Sequence, residues 1–244
     1  MKLRAAVHYK SKDMLKSAGT YFIVLLTILL AVIAVARINV SNGGSSYVTF
    51  SGYTIGAWVM MLVMGICAIR EDLRFFIQNG VGRRTAFLTQ WIAALELAAL
   101  LAIGGRLFQL LANAIAQSTP NVRIGELYSM LYAQGAMSLS LWQHVESFML
   151  YLGFLLMAYM GGMFFSLLFY VLNKTMQIVV AVSIPFLLFA GIPFIWPYFS
   201  GPLTAVYRFC AVSSWNLLLV FLIVTAIIGA VNRLITRRIP IRGL

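Results

Sequence analysis

The sequence predicts an all-α integral membrane protein with six transmembrane helices and both chain ends in the cytoplasm. Of its 244 residues, 62% are hydrophobic and only 10% are charged. A soluble domain has roughly 45–50% apolar and about 25% charged residues. The apolar residues also form long stretches, and a helix needs ~20 of them to cross a bilayer. We therefore expect a single transmembrane domain that covers residues 1–244.

The six predicted spans follow the apolar stretches in chain order. The second opens with Gly52-x-x-x-Gly56, a spacing that permits close packing between helices. The fifth contains Pro185 and Pro193, which predict a kink or a hinge because proline removes a backbone hydrogen bond from a helix. The approximate bounds of the spans are 18–36, 51–69, 85–107, 148–172, 176–196 and 215–231.

The orientation follows from the basic residues. Fourteen of the 18 Lys and Arg residues lie in segments that are cytoplasmic if the N-terminus is inside. Cytoplasmic segments of membrane proteins carry this excess, so both ends are expected inside. A nucleic-acid-binding protein clusters its basic residues on one face, whereas here they are spread between spans, so no nucleic-acid partner is expected despite the net charge of +12.

The first predicted span is longer than the ~7–15 apolar residues of a cleavable signal, which predicts an uncleaved anchor.

Three segments outside the spans have distinct compositions. Residues 1–17 combine lysines with apolar residues, which predicts an interfacial amphipathic helix on anionic lipid; a basic tail that only sets the topology is the alternative. Residues 108–147 form the longest outer segment, and part of it is expected to extend the third span. Residues 191–210 are rich in proline and glycine, which predicts broken helices outside the membrane between spans five and six.

The cytoplasmic segment 70–84, REDLRFFIQNGVGRR, predicts a short amphipathic helix over residues 71–79. Its two acidic residues come first, where a helix favours negative charge, and Gly80 is placed to end the helix. The apolar stripe consists of Leu73, Phe76 and Ile77. Together with Phe75 these side chains are expected at the surface, docked either into lipid headgroups or into a soluble partner.

Glu96 is the one carboxylate expected inside a span. A charge near the membrane centre costs at least ~2.5–3.5 kcal/mol, so Glu96 should line a transport path or form a structural hydrogen bond within the bundle. The sequence contains no G-x-S-x-G, H-E-x-x-H or P-loop motif, and the two histidines, His8 and His144, are expected on opposite sides of the membrane. We therefore expect no enzymatic activity, and no metal or cofactor bound by this chain.

The order of these elements resembles the transmembrane subunits of ABC exporters of the ABC-2 type. The N-terminal helix, six spans, short coupling helix and outer helices all have counterparts, and EDLRFFIQNGVGRRTAFLTQ is the most similar stretch. The resemblance implies a coupling helix seated in a separate ATPase subunit. The residues that would dock are Glu71, Asp72, Leu73, Arg74, Phe75, Phe76, Ile77, Gln78, Asn79 and Gly80.

The same resemblance implies the partners and the activity. Two ATPase copies, which bind ATP and Mg²⁺, would drive alternating access in a dimer of this chain, or of this chain with a paralogous permease. The substrate would be an amphipathic compound, such as a peptide or an antimicrobial, exported across a bacterial cytoplasmic membrane.

Three alternatives remain open at this point. The membrane subunit of an ABC importer would be expected to carry two long coupling helices. A channel or secondary transporter would be expected to show inverted repeats and several ionisable residues within its spans. A membrane scaffold or sensor needs no coupling helix.

Overall fold

The computed structural model describes residues 2–41, 48–50, 52–116, 122–132, 140–186 and 192–238. Nearly all of these residues are helical, so the predicted helical class is confirmed. Two three-residue strands, β1 (Val48–Phe50) and β2 (Val122–Ile124), are an addition that the sequence did not suggest, and they pair in parallel. The helices are α1 (Lys2–Ser41), α2 (Gly52–Cys67), α3 (Arg74–Gln78), α4 (Arg83–Ala116), α5 (Leu127–Leu131), α6 (Leu141–Val171), α7 (Lys174–Phe186), α8 (Ile192–Val212) and α9 (Ser214–Arg238).

Four helices are long and apolar enough to cross a membrane: α1, α4, α6 and α9. They coincide with the first, third, fourth and sixth predicted spans. The second predicted span corresponds to α2, which is apolar but has only 16 residues. The fifth is divided between α7, which has 13 residues, and the start of α8. Pro185 lies in the last turn of α7 and Pro193 in the first turn of α8, while residues 187–191 between them lie outside the described residues.

Two predicted element boundaries are wrong. Residues 1–17 were expected to form a separate interfacial helix, but the described part of this segment is continuous with the first span in α1, which has 40 residues. At ~1.5 Å per residue this helix is about 60 Å long, twice the ~30 Å hydrocarbon core. Residues 192–210 were expected to be broken, but they lie in the single helix α8. Pro193 is tolerated there because the N–H groups of the first turn have no partner within the helix.

The closest helix contact joins α2 to α6. A Cβ added at Gly65 would lie 2.2 Å from the carbonyl oxygen of Tyr159, and one added at Gly162 would lie 2.1 Å from that of Leu62. Each glycine therefore allows the backbone of the other helix to approach. The predicted Gly52-x-x-x-Gly56 face is only half in contact. A Cβ at Gly56 would lie 3.4 Å from the hydroxyl of Tyr21 on α1, whereas one at Gly52 would meet nothing within 4 Å.

The two ends of the helix bundle have different polar contacts. At the end that we call the basic end, α4 begins and α9 finishes, and the Arg83 guanidinium donates a hydrogen bond to the carbonyl of Arg237 at 3.0 Å. At the opposite end, α6 and α9 both begin, and Ser214 donates to the carboxylate of Glu146 at 2.7 Å. Burial and a hydrogen bond to Glu146 raise the pKa of Tyr128, on α5, to about 12. The phenol thus stays protonated and holds α5 against α6.

The segment 108–147 is anchored by a buried ion pair at this opposite end. α4 continues through this region to Ala116, as predicted. Beyond it, the carboxylate of Glu126 pairs with the guanidinium of Arg106 and accepts a hydrogen bond from Ser147 at 3.2 Å. The connection between α4 and α6 is therefore fixed to both of those helices.

Candidate coupling site

The end of α3 has the geometry that the sequence predicted. Gly80 has a φ of 68°, in the left-handed region that glycine adopts without steric cost. The N–H of Gly80 donates to the carbonyl of Ile77 at 2.9 Å, and the N–H of Val81 donates to the carbonyl of Phe76 at 2.8 Å. This pair of bonds is a Schellman cap, which is usually completed by an apolar contact across it. Phe76 and Val81 are both buried in the same core cluster.

The start of the segment differs from the prediction. Residues 71–73 belong to a π-helical turn, Ala68–Leu73, that joins α2 directly to α3. A π-turn adds a residue to the turn and so changes which side chains face inward. As a result Asp72, expected at an exposed helix N-terminus, is only 7% exposed and faces the bundle.

Asp72 is the centre of a buried polar network that sequence reasoning missed. Its Oδ2 lies 2.6 Å from Nζ of Lys10 on α1 and accepts a hydrogen bond from Nε2 of Gln90 on α4 at 2.9 Å. The hydroxyl of Tyr159 on α6 donates to Oε1 of Gln90 at 2.6 Å. All four side chains are buried. The network therefore connects the π-turn to three of the four longest helices.

The aromatic side chains of the segment pack against α1. The ring of Tyr9 stacks on Phe75 with 4.7 Å between centroids and meets the ring of Phe76 edge-on at 6.4 Å. Phe76 is 2% exposed, so the prediction that it lies at the surface is wrong, because α1 covers it. The surface that remains consists of Phe75, Gln78, Asn79 and Gly80; the side chains of Glu71, Leu73 and Arg74 lie outside the described residues.

No protein-family model, curated protein or solved structure matches the chain. The geometry of the segment is therefore the basis for assigning it a role. A short capped helix between α2 and α4, with one side fixed to the bundle and the other open, is suited to pass a displacement from a bound partner into the bundle.

Four arginines lie together at the basic end of the bundle, where the segment 70–84 leads into α4. They line a cavity of about 110 Å³ between the start of α4 and the end of α9. The positive-inside prediction rests in part on these same side chains, which are Arg83, Arg84, Arg233 and Arg237. The segment 70–84 thus leads to the basic end, which the positive-inside rule predicts to be cytoplasmic.

Glu96 forms the structural contact that the sequence left open, and its place in a transport path stays a prediction. Its carboxylate accepts a hydrogen bond from the hydroxyl of Ser11 on α1, which is the structural contact. It also lines a cavity of about 470 Å³ between α1 and α4. Within the part of the chain that the structure describes, no cluster of His, Cys, Asp and Glu side chains could hold a metal ion.

Proposed function

We propose that this chain is the permease subunit of an ATP-driven exporter of the ABC-2 type, and that residues 70–84, the coupling segment, dock a separate ATPase. In this proposal the chain spans the membrane six times with both ends in the cytoplasm. Two copies, or one copy and a paralogous subunit, pair with two ATPases. ATP and Mg²⁺ bind to the ATPases, and this chain supplies the membrane path for an amphipathic substrate.

The observation that carries the proposal is the two-sided geometry of α3. Its inner side is fixed through Phe76 and through the neighbouring Asp72, both buried. Its outer side presents Phe75, 41% exposed, and Gln78. A partner that displaces the outer side of α3 also moves the adjoining π-turn, which the Asp72 network links to α1, α4 and α6. An anchor that only rests in lipid headgroups has no need of a buried ion pair to the rest of the bundle.

The arrangement of the helix ends supports the six-span topology within this proposal. The bond from Arg83 to Arg237 brings the start of α4 and the end of α9 to one end. The bond from Ser214 to Glu146 brings the starts of α6 and α9 to the other. α7 and α8 then form the return crossing together, and α2 with its π-turn forms the second crossing.

Site-specific photo-crosslinking tests the docking. A benzophenone amino acid replaces Gln78 on the outer side of α3, and a matched control carries it at Tyr207 on α8, which is 73% exposed. We expect irradiation of intact cells to give a stoichiometric adduct at position 78 and none at 207. The adduct must contain a protein with a P-loop, and the purified complex must hydrolyse ATP.

A second variant separates docking from folding. Gln78→Lys places a charge on the exposed outer side of α3 and leaves the Tyr9–Phe75 stack in place. It should abolish co-purification of the ATPase while the permease still inserts and purifies. Phe76→Asp would instead place the charge in the core, and so would report on packing. If position 78 gives no adduct, or if the Gln78→Lys variant retains the ATPase and its coupled hydrolysis, the docking proposal is wrong.

A further inference from the structure

The cavity beside Glu96 lies between two helices that run in the same direction. Ser11 contacts Glu96, and further along both helices the ring of Phe22 lies against Gly104, where an added Cβ would be 2.3 Å away. The volume of about 470 Å³ falls within the range of roughly 300–1,000 Å³ typical of small-molecule sites.

The lining of the cavity changes from polar to apolar along its length. The polar groups, His8, Ser11 and Lys12 on α1 and Glu96 on α4, lie together at the end nearer the basic end. The apolar lining continues away from it along α4, from Leu97 to Ile103, a distance of about 10 Å at ~1.5 Å per residue. This order matches an amphiphile whose headgroup faces the basic end and whose hydrocarbon chain points toward the opposite end of the bundle.

The charges at the polar end specify the headgroup. Neither Glu96 nor Lys12 forms an ion pair with another described side chain, and Ser11 is the one described donor to the carboxylate. A carboxylate accepts several hydrogen bonds and an ammonium donates up to three, so both groups can bind further partners. A ligand that brings an ammonium to Glu96 and an anionic oxygen to Lys12 would neutralise both groups.

We propose that this cavity binds phosphatidylethanolamine, with the ammonium on Glu96, the phosphate on Lys12 and an acyl chain along the α4 wall. Phosphatidylcholine carries the same charges, but its methylated ammonium has no N–H to donate. Phosphatidylglycerol carries the phosphate without an ammonium. The site therefore discriminates by hydrogen bonding at Glu96, and this holds whether or not an ATPase docks at α3.

Lipid retention measures the proposed preference. The full chain is purified in mild detergent, exchanged into an equimolar mixture of the three lipids with identical acyl chains, and analysed by native mass spectrometry. We expect phosphatidylethanolamine to be retained over phosphatidylcholine. The Glu96→Gln variant keeps an oxygen acceptor but loses the charge, so it should lose about fivefold of that preference, the difference between a charge-assisted and a neutral hydrogen bond.

Two further variants keep the test decisive. Asp13→Asn removes one carboxylate from α1 without touching the cavity lining, and it should retain the wild-type preference. Leu100→Trp fills the cavity without changing its charge and should lose the lipid even if Glu96→Gln fails to fold. Equal retention of the two zwitterionic lipids by the wild type, a preference for phosphatidylglycerol, or full retention by a folded Leu100→Trp variant would overturn the proposal.

Discussion

Separating Lys10 from Asp72 should destabilise the whole bundle. Their side chains are 4% and 9% exposed, and the Nζ to Oδ2 distance is 2.6 Å. Replacement of Lys10 by Met leaves the Asp72 carboxylate buried with Gln90 as its remaining described hydrogen-bond donor. Breaking a buried pair in this way costs about 3–5 kcal/mol, because an uncompensated charge remains.

The double variant distinguishes this cost from a simple loss of contacts. In Lys10→Met/Asp72→Asn neither charge is present, and the asparagine oxygen can still accept the hydrogen bond from Gln90. Removal of both charges of a buried pair is often close to neutral. We therefore expect the double variant to recover most of the stability that the single Lys10→Met variant loses.

Thermal unfolding of the purified protein in detergent measures both effects. For a chain of this length, 1 kcal/mol corresponds to about 2–4 °C, so Lys10→Met should lower Tm by about 6–20 °C. Lys16→Met, at an exposed position of the same helix, should leave Tm nearly unchanged. If Lys10→Met has no larger effect than Lys16→Met, or if the double variant is as unstable as the sum of its singles, the pair does not connect α1 to the π-turn.

Two glycine positions give further predictions, each with a neighbouring control. Gly162→Ala should lower the free energy of unfolding by about 1–3 kcal/mol, typical of overpacking, because the new methyl group meets a carbonyl of α2. The methyl group of Gly161→Ala meets nothing within 4 Å, so that variant should stabilise the helix slightly. Gly80→Ala should cost roughly 1–2 kcal/mol, the penalty for a left-handed residue with a Cβ, whereas Gly82→Ala should be nearly neutral. Chemical unfolding in detergent compares each pair, and equal effects within a pair would contradict the explanation given for it.

The sequence predicts the features of this chain that depend on local patterns. Long apolar runs identify the four longest helices, because hydropathy over about 20 residues is a direct consequence of bilayer thickness. The cap at Gly80 is also local: one glycine in the left-handed region and two backbone bonds complete it. Neither feature depends on where the rest of the chain lies.

The errors arise where a tertiary contact decides the outcome. Nothing in residues 1–17 indicates that Lys10 and Ser11 contact carboxylates more than 60 positions away, so a lipid-bound helix is the natural prediction from composition alone. π-turns likewise have no reliable signature in a single sequence, and without the turn Asp72 is expected in solvent. The burial of Phe76 depends on the same tertiary contacts, because Tyr9 can cover its ring only once α1 lies against this segment.

The position of α1 links the two sites that we propose. Lys10 and Ser11 are consecutive residues on one helical turn, and one contacts Asp72 of the coupling segment while the other contacts Glu96 in the cavity. The backbone of a helical turn is stiff, because its φ and ψ angles are fixed by hydrogen bonds. Gln90 also ties Asp72 to α4, so a displacement of Asp72 that moves α1 more than α4 shifts Ser11 relative to Glu96. A partner docked on α3 would thus alter the polar end of the α1–α4 cavity without touching it, through a single ion pair and a single hydrogen bond.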